Sequence, residues 1–321
     1  MRPPDGPIDA CPCLAILGPT ASGKSRFALE VALRFGGEIV SCDSMAVYRG
    51  MDIGTDKPSR EDRARIPHHC LDVAEPGTYF SAGAFREAAL SAIRGISARG
   101  RLCIIVGGTG LYYRALTQGL VDLPPRNETL RRRLQERAAR KGAESLHRLL
   151  TKLDPASASR IAPADTLRAI RALEVRILTG EPLSRVIEAQ PFRRTGPEGM
   201  LKVGITGPRD LLYAKIERRV DAMVDGGLLG EVEGLLRAGL LKGPARKAIG
   251  YGELADHLEG RCSLREAVER VKLRSRHLAK RQITWFGKEM GLQWYSIGKE
   301  AWSNDAIQFI QRWHEKAQPT P

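Results

Sequence analysis

Eight consecutive residues, Gly18, Pro19, Thr20, Ala21, Ser22, Gly23, Lys24 and Ser25, fit the spacing GxxxxGK[ST]. They stand between a short apolar run, Cys13 to Leu17, and a helical pattern carrying Phe27, Val31 and Phe35. Strand, glycine-rich turn and helix in that order form a phosphate cradle. Backbone N–H groups converge on the anion, and the helix adds the positive end of its dipole. Lys24 supplies a point charge and Ser25 a hydroxyl oxygen of the kind Mg²⁺ accepts. A cradle alone serves ATP or other nucleotide hydrolysis, phosphoryl transfer and diphosphate departure equally well. A nucleotide triphosphatase would place a magnesium-binding Asp at the end of a second apolar strand. Here the obvious strand, Leu102 to Val106, runs into Gly107-Gly108-Thr109 instead. The carboxylate that does end a strand is Asp43, after Glu38 to Cys42. It could bind magnesium, act as a general base, or cap the turn ahead of Met45 to Tyr48.

These groups need a scaffold that brings strand ends together. Short β-branched runs alternating with helical patterns, such as the one from Ser81 to Arg99, predict parallel strands with right-handed crossovers. Ligands in such sheets bind beyond the carboxyl ends of the strands, where residues 18–25, Asp43 and Thr109 converge. From Leu123-Pro124-Pro125 to about Gln190 the chain reads as arginine-rich helices, and Lys202 to Thr206 reads as a returning strand. The predicted fold is therefore α/β: a P-loop NTPase-like parallel sheet core with helices on both faces and an inserted all-helical domain. The core is discontinuous, residues 1–122 plus 200–321, and the helical insertion covers 123–199. Beyond the returning strand the chain reads as mostly helical out to Trp294, with a frayed tail at 318–321.

Composition bounds the partners. The 321 residues carry 51 Lys plus Arg against 37 Asp plus Glu, a formal charge of +14 that favours polyanions, nucleic acid first among them. Six cysteines at no zinc-ribbon or CxxC spacing are expected to be reduced, the close pair Cys11 and Cys13 included. The opening ten residues resemble neither a signal nor a transit peptide, and no apolar run reaches membrane-spanning length. The expected location is the cytoplasm.

Beyond these general features, the segments GPTASGKS (18–25), CDSMAVYRGMDIGTDKP (42–58), PHH-LDV (67–73), VGGTGLYYRAL (106–116), RALEV (171–175), AIGYGEL (248–254) and AKRQITWF (279–286) resemble, in content and order, the tRNA dimethylallyltransferase family. The resemblance covers nearly the whole chain. It implies transfer of a dimethylallyl group from dimethylallyl diphosphate to N6 of the adenosine 3′-adjacent to the anticodon, with release of diphosphate and with Mg²⁺ as cofactor. Residues 18–25 would bind the diphosphate, and Ser25 would hold the metal. Asp43 would be the general base, and Asp43, Ser44, Met45 and Ala46 would meet the target nucleoside. Thr109 matches a substrate-contacting position, and Arg219, next to Arg218, matches the arginine placed near the diphosphate. Further tRNA-contacting positions would be Leu167, Arg168, Ala169, Ile170 and Arg171, and Lys247, Ala248, Ile249, Gly250 and Tyr251. Many members carry Gln where this chain has Ala46, and again where it has Leu167.

An adenosine in an anticodon stem-loop is reached by turning the base out of its stack, so basic helices should flank the pocket. One candidate holds Arg131, Arg132, Arg133, Arg137 and Arg140. A second carries Lys272, Arg276 and Lys280 beside Arg270, Arg274 and Arg281, with Leu264, Val268, Val271 and Leu278 towards the core. The expected partners are thus tRNA and dimethylallyl diphosphate, met by a monomer. Two other readings use the same loop: a small-molecule or nucleotide kinase, and an RNA-binding NTPase without transfer chemistry.

Overall fold

The computed structural model describes residues 12–190, 196–197 and 199–317. Cys11, the opening ten residues and the tail expected at 318–321 lie outside the described residues. The chain divides into two compact units, Met1–Thr117 with Thr195–Pro321, and Gln118–Arg194.

The first unit is built on a six-stranded sheet whose paired strands all run parallel. Its strands are β1 (Cys13–Leu17), β2 (Gly37–Cys42), β3 (His68–His69), β4 (Leu102–Gly107), β5 (Leu201–Thr206) and β6 (Gln293–Ser296), in the order β3-β2-β4-β1-β5-β6. Every residue of β1 and β4 is buried, as expected for strands covered on both faces. Successive side chains of β1 alternate between two cores. Cys13, Ala15 and Leu17 join Phe85 and Ile93, whereas Leu14 and Ile16 join Phe27, Val31 and Ile307.

Register matters more for function than the core does. Leu17 lies opposite Gly107, and Gly107 lies opposite Cys42. The residues that follow, Gly18, Gly108 and Asp43, therefore leave three neighbouring strands at one level. Two elements go beyond the sequence expectation at the sheet edges. β3 is only two residues long, and β6 interrupts the predicted helical stretch to pair with β5 before a closing helix, Trp302–Ala317.

In the second unit the described residues form helices only: Glu128–Lys141, Ala143–Leu153, Pro155–Ala158, Thr166–Thr179 and Leu183–Ala189. Leu134, Leu146, Leu150, Ile170 and Leu173 make its separate core. Asn127, Asp154 and Asp165 each cap a helix by accepting a backbone N–H.

Candidate active site at the ends of β1, β2 and β4

The glycine-rich loop begins where only glycine fits. Gly18 has φ of 150°, and a Cβ there would stand 2.1 Å from the Ile205 carbonyl oxygen of β5. The loop then turns through Ala21 and Gly23, both at positive φ, and the helix Lys24–Phe35 starts. Lys24 Nζ donates to the Pro19 carbonyl at 3.2 Å, which folds the ammonium back over the loop. Burial pulls the Lys24 pKa down to about 8 and the Arg219 charge lowers it further, while Asp43 and Asp56 act in the opposite direction. Ser22 is fully buried, and its hydroxyl has no hydrogen-bond partner among the described residues. Ser25 is exposed at the first turn of the helix.

The two oxygens of Asp43 stand in different surroundings. Oδ1 accepts from Met45 N at 2.8 Å and Ala46 N at 3.3 Å, which is the turn-capping role. Oδ2 has no partner among the described residues, so one oxygen stays available for chemistry. Thr109 does not line the cavity; it braces this turn from behind. Its hydroxyl accepts from Ser44 N at 3.0 Å and lies 3.3 Å from Ser44 Oγ, and its own N–H donates to the Cys42 carbonyl.

Arg219 comes from the helix Arg209–Asp225. Its Nη2 donates to Thr20 Oγ1 at 2.6 Å, and its Nη1 pairs with Asp56 Oδ2 at 3.0 Å. The adjoining Arg218 points away, exposed, towards the Ala214 carbonyl of its own helix. Arg219 is therefore the guanidinium that reaches the loop.

Thr20, Lys24, Ser25, Arg219 and Asp43 line one cavity of about 630 Å³. Met45, Ala46, Ala248, Ile249 and Gly250 also line it, and Val220, Met223, Leu228, Val271 and Leu278 give it an apolar stretch. Such a mixture suits a ligand with a charged head and a hydrocarbon tail. Of the segment 247–251, Lys247 is exposed, but Tyr251 is fully buried and donates to Glu231 Oε1 at 2.6 Å. Tyr251 is thus turned away from solvent, where RNA would be met, and supports a loop instead. The other Glu231 oxygen accepts the backbone N–H groups of Asp52 and Ile53, both at 2.9 Å, which holds the segment that carries Asp56.

Two residues of the cavity wall were assigned no role from sequence. Lys57 is almost wholly buried and holds Asp52, Asp72 and the Tyr48 carbonyl, each at 2.6 Å. Gln282 bonds two loops at once: its Oε1 accepts from Thr20 N at 2.8 Å, and its Nε2 donates to the Gly108 carbonyl at 3.0 Å. Both lie inside segments that carry the family resemblance, which was the one available sign. Among the described residues, no group of three His, Cys, Asp or Glu side chains could hold a metal by itself.

The basic runs divide differently from expectation. In the helix Leu264–Phe286 the buried stripe is Ala267, Val271, Ser275, Ala279, Gln282 and Phe286. Lys272 and Arg276 turn towards the helix Arg209–Asp225, where they pair with Asp221 and Glu217. Arg274 pairs with Glu253. Arg270, Lys280 and Arg281 remain exposed.

Within the helical unit, Arg131 forms a two-pronged pair with the fully buried Glu174, Nε to Oε1 at 2.9 Å and Nη2 to Oε2 at 2.8 Å. Arg171 joins at 2.6 Å, and Asn127 N donates to the same carboxylate. Burial alone would raise the Glu174 pKa; these donors outweigh it and hold the carboxyl at about 2. Ala169 and Ile170 pack into the unit's core, while Leu167 and Arg168 are exposed. Of the positions expected to touch RNA in this unit, Leu167 and Arg168 are exposed, as are Arg132, Arg133 and Arg140 of the basic run, whereas Arg131 and Arg137 are half-buried.

Among known proteins, the family model described as IPP transferase matches residues 46–289. The tRNA dimethylallyltransferase of Geobacter metallireducens is 52% identical over 282 residues, 87% of this chain and 90% of that protein. The tRNA dimethylallyltransferase of Thermomicrobium roseum is 43% identical over 305 residues, 94% of this chain and 91% of that protein. In crystal structures, the tRNA isopentenylpyrophosphate transferase of Bacillus halodurans superposes with a TM-score of 0.69 at 37% identity, covering 95% of this chain and 97% of that one. A eukaryotic dimethylallyltransferase acting on tRNA superposes with a TM-score of 0.79 at 26% identity, covering 96% of this chain and 80% of that one. Among the described residues no helix is long and apolar enough to cross a membrane. Matched by that family model over most of its length, and by curated relatives over nearly all of it, the chain belongs to the IPP transferase family.

Proposed function

We propose that this enzyme transfers a dimethylallyl group from dimethylallyl diphosphate to N6 of the adenosine 3′-adjacent to the anticodon of tRNA, releasing diphosphate. The observation that supports it best is the pairing, on one cavity wall, of the phosphate cradle with a carboxylate that keeps one oxygen free. The N6 lone pair attacks C1 of the allyl group, the C1–O bond breaks with its electron pair leaving on diphosphate, and N6 gives up one proton. The exocyclic amine is a poor nucleophile because its lone pair is delocalised into the ring. A hydrogen-bonded carboxylate that accepts its proton contributes roughly two to four powers of ten. Asp43 Oδ2 is the acceptor, while Oδ1 keeps the turn in shape.

On the leaving side, negative charge grows on the diphosphate oxygens. The N–H groups of Ala21, Gly23, Lys24 and Ser25, the Lys24 ammonium and the Arg219 guanidinium are set against it, and preorganised donors stabilise developing charge without reorganising. Giving up Asp56 and Thr20 lets Arg219 turn to the diphosphate. The donor set suits Mg²⁺: one hydroxyl, Ser25, together with substrate phosphate oxygens is the sparse kind of protein ligation this ion accepts. Bound there, the ion would neutralise leaving-group charge. The allyl tail lies along Met223, Leu228 and Leu278, where apolar contact excludes water.

For the RNA, exposed Lys247, Arg270, Lys280, Arg281, Leu167 and Arg168 are the contacts we favour, with Met45 and Ala46 against the everted base. On this reading the enzyme acts in the cytoplasm, where tRNA is met, and as a monomer. A kinase would use the same cradle but leaves the family match and the exposed arginines without a role. Incubating the protein with radiolabelled dimethylallyl diphosphate and unmodified tRNA, without ATP, should place label in RNA. Label that stays in the diphosphate fraction, with phosphoryl transfer seen on adding ATP, would point to the kinase.

A further inference from the structure

We propose that Gln282 is a positioning residue that fixes the leaving-group cradle against the acceptor turn. This inference rests on the prenyl-transfer reading above. Gln282 sits on the helix Leu264–Phe286 at 8% exposure, with both ends of its carboxamide engaged. Oε1 takes the Thr20 N–H of the loop after β1, and Nε2 gives a proton to the Gly108 carbonyl of the loop after β4. A primary amide is the neutral side-chain group that pairs an acceptor with a donor at this spacing, and both partners here fix its orientation. Gly108 is shaped for the contact, since a Cβ there would lie 2.1 Å from Gln282 Nε2.

Each end of the strut leads directly to the chemistry. Thr20 receives Arg219 on its hydroxyl, so Gln282 and Arg219 hold the same loop residue by different atoms. Gly108 precedes Thr109, whose hydroxyl holds Ser44, and Ser44 follows Asp43. An unbroken series from Thr20 through Gln282, Gly108, Thr109 and Ser44 to Asp43 thus sets the spacing between the departing diphosphate and the proton acceptor. In-line transfer is steep in that spacing, because a misplacement of about 1 Å can lower a rate by roughly a hundredfold. The Thr20 N–H is moreover committed to Gln282, so this N–H contributes to the shape of the cradle and not to its anion contacts.

The test compares Gln282→Met, which keeps volume and loses both hydrogen bonds, with Gln282→Glu. For the Met variant we expect kcat to fall by about one to two powers of ten, with Kd values for dimethylallyl diphosphate and tRNA within about threefold of wild type and a Tm lowered by only a few degrees, the effect of two stranded backbone groups. The Glu variant keeps an acceptor for Thr20 but sets a carboxylate against the Gly108 carbonyl. Its kcat relative to wild type should therefore rise as pH falls and the carboxyl regains a proton to donate. A Met variant with wild-type kcat overturns the proposal. So does a loss of kcat matched by equal losses in substrate affinity and Tm, which would make Gln282 a scaffold residue only. Wild-type enzyme that moves no label into tRNA refutes the underlying reading of function, a result distinct from either.

Discussion

Arg219 and Arg131 each face a carboxylate, and the two pairs are built in opposite ways. Asp56, the partner of Arg219, is 55% exposed, sits on a cavity wall, and shares the guanidinium with a threonine hydroxyl. Glu174, the partner of Arg131, is completely buried and receives two guanidiniums and a backbone N–H. An exposed pair in high dielectric is held by little, about 0–1 kcal/mol, so a diphosphate can displace it. Removing one member of a buried pair strands a charge in the interior and costs about 3–5 kcal/mol. A basic residue is free to serve an anionic ligand where its internal partner is loosely held, and the number of arginines in a helix says nothing about that.

The comparison can be broken most forcefully at Arg219. Replacing it with Gln should lower kcat by about two to three powers of ten, the scale for losing one transition-state donor, while Tm stays near wild type. A large fall in Tm with intact kcat would make Arg219 structural and erase the contrast. The reciprocal change, Arg131→Ala, should destabilise the helical unit by about 3 kcal/mol in denaturant titration, with turnover nearly unchanged well below the unfolding transition. A stable Arg131→Ala protein with weakened tRNA binding would return that side chain to the RNA.

A smaller effect is expected from pH. The Lys24 ammonium has its pKa lowered to about 8 by burial, and a bound diphosphate must raise it again. Binding therefore takes up a proton above that value. Dimethylallyl diphosphate affinity should weaken by about fivefold between pH 8 and pH 9, a dependence that Lys24→Met removes while lowering affinity throughout. The smallest change belongs to Arg168, whose side chain is 71% exposed. Arg168→Ala should reduce the slope of log tRNA affinity against log salt by somewhat less than about one unit, with no change in Tm.

What could be read in the sequence follows from how local each feature is. The cradle at 18–25, the strands at 13–17 and 102–107 and the capping of Asp43 depend on residues close in the chain, and the apolar runs with their glycine boundaries marked them. Asp43 was legible as both cap and base candidate; that the cap uses Oδ1 and leaves Oδ2 without a partner among the described residues needed coordinates. Gln282 was illegible because its partners lie 262 and 174 residues away. No periodicity marks a glutamine in a basic helix as a strut. β3 and β6 escaped notice because strands of two and four residues at a sheet edge carry too few alternating positions. The pairing of Arg131, Lys272 and Arg276 is not written locally, because Glu174, Asp221 and Glu217, which face them, lie on other helices.

The most direct test of the two-sided cavity is single-turnover transfer by Asp43→Asn, with dimethylallyl diphosphate binding measured in parallel. Asn keeps a carbonyl oxygen to cap Met45 and Ala46 but cannot take the N6 proton. We expect the rate to fall by about two to four powers of ten with the diphosphate affinity retained. Transfer at the wild-type rate would contradict the account.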